Sequence, residues 1–82
     1  MSRNKLYDEG NLIINNSKGD IIVYSLKENR EIFKFNFYKK KFKKIEKEIN
    51  YIVENNIIYV ADNLGYIYSL NYKTGKLFWA KY

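Results

Sequence analysis

The feature that most restricts the fold is a rhythm of short strands and tight turns, stated almost twice within 82 residues. The stretch NNIIYVADNLGYIYSLNYKTGKLFWAKY holds three runs, IIYVA, YIYSL and LFWAKY, separated by the glycine turns NLG and YKTG. Their β-branched and aromatic residues fit a pleated, half-buried surface, and their alternation matches the two-residue period of a strand. Asn55-Asn56, Asn63-Leu64-Gly65 and Lys73-Thr74-Gly75 supply residues that tolerate positive φ in short hairpins. NYIVE, residues 50–54, adds a strand upstream. Residues 50–82 are therefore expected to form a four-stranded antiparallel meander.

The earlier stretch NLIINNSKGDIIVYSLKENREIFKFNF has the same rhythm. Tyr24-Ser25-Leu26 matches Tyr68-Ser69-Leu70 at an offset of 44, which sets Phe33 on Leu77 and Phe35 on Trp79. Gly19 meets Gly65 at an offset of 46, with Leu12 on Ile58 and Ile14 on Val60. A hairpin two residues longer in the first repeat reconciles the two offsets and leaves the strand faces unchanged. A period near 44 with four short strands per unit is the pattern of a β-propeller blade. The expected fold is all-β: residues 1–45 form a degenerate first blade with a basic connection, and residues 46–82 form a second blade.

Between the repeats, YKKKFKKIEKEIN (residues 38–50) has two readings. Tyr38, Phe42, Ile45 and Ile49 stand at helical spacing, as in a basic amphipathic helix that meets a membrane or an acidic partner. The repeat alignment favours an outer strand at 37–42 and an inter-blade connection at 45–49. Lys39, Lys40 and Lys41 would then blunt the sheet edge against aggregation.

Composition removes several kinds of chemistry. The chain has no Cys and no His, so it offers no thiolate, no disulfide and no imidazole base or ligand. Phe, Tyr, Met, Ile, Asn and Lys, all with AT-rich codons, make up 50 of the 82 residues. The net charge of +6 is therefore read mainly as a lysine-rich solvated surface. Only Arg3 and Arg30 carry the guanidinium suited to bidentate phosphate recognition, so no specific nucleic-acid site is expected. No apolar run is long enough to span a bilayer, and MSRNKLYDEGNLIINN lacks the apolar core of a signal peptide. As written, the chain is expected to stay in the cytoplasm.

One motif carries more information. Ser69-Leu70-Asn71-Tyr72-Lys73-Thr74-Gly75-Lys76-Leu77-Phe78-Trp79 resembles the tryptophan-docking motif of PQQ-like β-propellers. Asn71, Thr74, Gly75 and Trp79 match that pattern, and Ser69 stands where Ala is usual. Asp62-Asn63-Leu64-Gly65-Tyr66-Ile67-Tyr68 resembles the stretch that precedes it in the family. Gly75 suits a positive-φ turn, Asn71 and Thr74 can bond nearby backbone, and Trp79 is read on the same strand face as Leu77. The resemblance implies that Trp79 lies on a neighbouring blade's Thr-Gly turn and staples blades together. The first repeat departs from it, with Lys27, Arg30 and Glu31 in place of Asn, Thr and Gly, and Phe35 in place of Trp.

The resemblance also frames function. Some members are quinoprotein dehydrogenases with a quinone, Ca²⁺ and a catalytic Asp. Of Asp8, Asp20 and Asp62, the last two fall beside the Gly19 and Gly65 turns, where Asp serves local hydrogen bonding. No catalytic residue, metal site or cofactor site is expected. The non-enzymatic branch includes the BamB-like lipoproteins of outer-membrane β-barrel assembly. The similarity implies a protein-binding scaffold in the periplasm, associated with the outer membrane. Its partners would be the β-barrel assembly machinery and neighbouring blades, from the rest of a longer chain or from other copies. A piece of a larger ring is expected, because the sequence stops just after the docking Trp. Part of a PQQ-dependent dehydrogenase, or a basic nucleic-acid-binding module, are the alternatives.

Overall fold

A computed structural model of the chain describes residues 5–8 as backbone, and residues 10–40 and 42–82 in full. Arg3, Lys41 and the side chain of Asp8 lie outside the described residues. All described elements are strands. β1 (Lys5–Asp8), β2 (Asn11–Asn15), β3 (Asp20–Ser25) and β4 (Arg30–Asn36) form one antiparallel sheet in chain order. β5 (Ile49–Glu54), β6 (Ile57–Asp62), β7 (Ile67–Asn71) and β8 (Leu77–Lys81) form the second. The fold is thus all-β, two four-stranded meanders. Asn55 and Asn56, at φ 53° and 64°, make the β5–β6 turn in the left-handed conformation that closes two-residue hairpins.

The two sheets agree in register at a single offset of 46 residues. Val23 pairs with Ile13 and Phe33 in the first sheet, and Ser69 pairs with Tyr59 and Trp79 in the second. The bulge in β3–β4 follows Val23, and the bulge in β7–β8 follows Ser69. The turns repeat at the same spacing. Asn16 Oδ1 accepts from the Lys18 and Asp20 amides, as Asp62 Oδ1 accepts from those of Leu64 and Tyr66. Leu26 N donates to Gly10 O, as Tyr72 N donates to Asn56 O. This corrects the expected offset of 44 and the longer first hairpin. The Tyr-Ser-Leu match is a local coincidence, whereas these side-chain bonds fix where each turn begins.

Equivalent positions have opposite fates. Ile13, Ile21 and Val23 are buried, yet two of their counterparts, Tyr59 and Ile67, are exposed. The second sheet buries Ile58, Val60, Tyr68 and Leu70, whose counterparts Leu12, Ile14, Ile22 and Tyr24 lie half-buried on the first sheet's other face. The sheets therefore stack in the same sense, the front of one on the back of the next. A sandwich related by a two-fold axis would bury the same face of both. Across the interface Phe37 stacks on Tyr68 with ring centres 4.6 Å apart, and Tyr51 Oη donates to Ile13 O at 2.7 Å.

Among the described residues, 37–40 and 42–48 form neither the helix nor the outer strand considered for them. β4 ends at Asn36, and the connection proceeds by turns, with Phe42 at φ 53°, outside the helical region. Its backbone groups bond to the hairpins it crosses. Lys47 N donates to Ser17 O at 2.8 Å, and Glu48 O accepts from Asn63 N at 3.0 Å. Tyr38 is pulled inward, its ring over Gly19 and its hydroxyl donating to Asp62 Oδ2.

Candidate binding surface

The β7–β8 turn is held by its own side chains. Asn71 Oδ1 accepts from the Lys73 and Thr74 amides at 2.8 and 3.1 Å, and Thr74 Oγ1 accepts from Lys76 N at 3.2 Å. Gly75 closes the turn at φ 78° and donates to Asn71 O. The counterpart β3–β4 turn uses different residues for the same geometry. Ser25 Oγ accepts from Glu28 N at 3.0 Å, and Asn29 takes the positive φ of 55°. The first repeat's counterparts to Asn71, Thr74, Gly75 and Trp79 are therefore Ser25, Glu28, Asn29 and Phe33. They are not Lys27, Arg30, Glu31 and Phe35.

Phe33 packs on the neighbouring sheet's Thr-Gly turn. An ideal Cβ on Gly75 would lie 2.6 Å from the Phe33 ring, a contact that only glycine allows. At the offset of 44, Phe33 aligns with Leu77, which hides this role. The signal was present in Asn29, the residue type after glycine most tolerant of positive φ. Among the described residues, no glycine has Trp79 among its nearest neighbours, and Trp79 is 42 % exposed. The bulge also sets it on the face opposite Leu77, since Trp79 pairs with Ser69 and Leu77 with Leu70.

Trp79 belongs instead to an open apolar face. The register aligns Ile52, Tyr59, Ser69 and Trp79 across the four strands of the second sheet, with Ala61 and Ile67 in the next row. Ile52 is 60 % and Ile67 50 % exposed, and a groove of about 300 Å³ runs between them over Tyr59 and Ala61. Ser69 is buried in this row, and its hydroxyl has no hydrogen-bond partner among the described residues.

The turn residues Gly19, Asp62 and Gly65 lie at the opposite end of the strands from Gly75. Asp62 ties its own hairpin together through Oδ1 and receives Tyr38 through Oδ2, so both carboxylate oxygens serve structure. Tyr82 covers Gly65 and meets Tyr66 edge-on at 4.8 Å. Nearby, Lys18, Lys34, Lys39, Lys43 and Lys47 surround Asp20 in a cleft of about 520 Å³. Burial alone would raise the Asp20 carboxyl, but the Asn36 and Asn16 amides, with Lys34 and Lys18, hold it below the usual carboxylate range. Among the described residues, no group of three or more Asp or Glu side chains converges as metal ligands would. No helix there is long and apolar enough to cross a membrane.

No protein-family model matches the chain, and no curated protein matches it.

Proposed function

We propose that the chain is a non-catalytic protein-binding scaffold of the propeller-blade type, with the open face of its second sheet as the binding surface. The observation that carries this reading is the exposed apolar surface of Ile52, Tyr59, Ile67 and Trp79, spread over two adjacent rows of one sheet face. Contiguous apolar surface of this kind marks interaction sites. The same-sense stacking, with Phe33 seated on Gly75, supports the likeness to PQQ-like repeats. That likeness suggests a BamB-like role in outer-membrane β-barrel assembly, in the periplasm. The ligand chemistry is consistent with it, because an unfolded barrel polypeptide presents apolar side chains on alternate residues.

Trp79 is the only tryptophan, so its emission reports on this face alone. Titration with a urea-diluted outer-membrane barrel polypeptide, at a chain concentration where the chain is monomeric, is expected to move the emission to shorter wavelength, saturably and at physiological salt. An unchanged emission maximum overturns the reading. The five-lysine cleft favours a second reading, binding of nucleic acid through its phosphates. That version requires affinity for RNA or DNA that survives physiological salt and falls steeply above it.

A further inference from the structure

We infer that the chain associates head to tail with further copies of itself, the open face of one copy's second sheet seating on the open face of the next copy's first sheet. The inference rests on reading the open face as a protein-binding surface, and it names the protein that fits it.

Two surfaces make the interface inside the chain. One is the row Ile13, Val23 and Phe33 of the first sheet, and the other is Ile58, Val60, Tyr68 and Leu70 of the second. Because ladders, bulges and turns coincide at one offset, each surface exists a second time. The first recurs as Tyr59, Ser69 and Trp79 on the second sheet's open face. The second recurs as Leu12, Ile14, Ile22 and Tyr24, half-buried on the first sheet's other face. Each copy thus carries one satisfied interface and the two unmatched halves of another, on opposite sides of the molecule.

Such a contact is heterologous. It leaves one free face at each end of any assembly until the rotation closes a ring. Repeating the intrachain step would close at about four to eight sheets, roughly two to four copies.

The equivalence has one imperfection. Trp79 would arrive at the turn of Asn29, which carries a Cβ where Gly75 has none, so its ring stands farther from the backbone than Phe33 does. Asn29 sits at φ 55°, which glycine adopts freely. Asn29→Gly is therefore expected to tighten the association.

Sedimentation of the 82-residue chain across a wide concentration range tests the inference. The expected species has a mass roughly two to four times the 9.9 kDa of one chain. Ile67→Asp spoils one face and Ile22→Asp the other, so each variant alone is expected to be a monomer. Their equimolar mixture keeps one intact pair of faces and is expected to form a one-to-one dimer. A monomeric wild type overturns the inference. So does an Ile22→Asp variant that stays oligomeric, because the contact is then between identical faces. A mixture of folded variants that remains monomeric also overturns it. Should Ile22→Asp fail to fold, Asn29→Gly decides the matter in a Tyr24→Phe background, which lacks the hydroxyl that donates to Asn29 Oδ1 at 2.7 Å: a lower dissociation constant supports the contact, and an unchanged or higher one overturns it. A wild-type monomer whose Trp79 emission still shifts with barrel polypeptide overturns this inference alone. Loss of both results overturns the binding-surface reading as well.

Discussion

Phe33 and Trp79 occupy the same place in two sheets that share register, bulge and turn bonds, yet one is packed on a glycine and the other faces outward. The strand pattern determines that an aromatic ring stands at this position. What that ring contributes depends on whether another sheet lies alongside. The larger side chain of the pair, Trp79, is the more exposed one.

Truncation separates the two most sharply. Phe33→Ala is expected to cost about 2–3 kcal/mol, at or just under the lower end for fully buried aromatic rings because Phe33 is half-buried. Trp79→Ala, measured where the chain is monomeric, should stay within about 0.5 kcal/mol, as exposed substitutions do. Equal losses in urea unfolding would erase the distinction between the sheets.

The glycine beneath Phe33 gives the next comparison. Gly75→Ala combines a positive φ with a Cβ 2.6 Å from the Phe33 ring, and overpacking together with backbone strain is expected to cost about 2–3 kcal/mol. Gly10 also has a positive φ, but no atom lies within 4 Å of its Cβ position. There Ala should cost only about 1 kcal/mol. Thermal midpoints of the two variants measure the difference.

The stacked interface is sensitive to alkali. Burial pushes up the hydroxyls of Tyr38, Tyr68 and Tyr51, Tyr51 to about 12, and the hydrogen bond to Asp62 raises Tyr38 further. In the unfolded chain these groups ionise near the ordinary value of 10.0. Their contribution is therefore fully present below pH 10 and is lost as pH rises toward the folded values. Tyr51→Phe removes one of them and should flatten the fall in urea midpoint between pH 10 and 12 by one titrating proton. An unaltered slope would show that Tyr51 does not titrate differently on folding.

The smallest effect is a gain. Ser69 takes the place of Val23, and its buried hydroxyl lacks a partner. Ser69→Ala should stabilise the chain by about 1 kcal/mol, since an unsatisfied buried group costs that much or more. A loss of stability would mean that the hydroxyl is bonded after all.

Much of the architecture was legible. Alternating runs marked all four strands of the second sheet within a residue or two, and glycine and asparagine marked its turns. The relation between the sheets was not legible, for two physical reasons. The turns are fixed by Asn16 against Asp62 and Ser25 against Asn71, pairs that do the same work with different residue types. The bulges after Val23 and Ser69 have no compositional mark at all. The identical Tyr-Ser-Leu triplets therefore drew the alignment two residues away, hiding Phe33 as the counterpart of Trp79. Tyr38, Phe42, Ile45 and Ile49 imitate a helical stripe. The segment bends instead because Tyr38 is held against Gly19 and Asp62.

The meander order itself has a kinetic consequence. Each ladder joins strands adjacent in the chain, so both sheets can zip by local hairpin closure before they meet. With no proline, no slow isomerisation of an imide bond intervenes. Seating Phe33 on Gly75 is then a late event, which makes it a lever on lifetime rather than on speed. Phe33→Ala should leave the folding limb of the chevron nearly untouched and steepen escape from the native state.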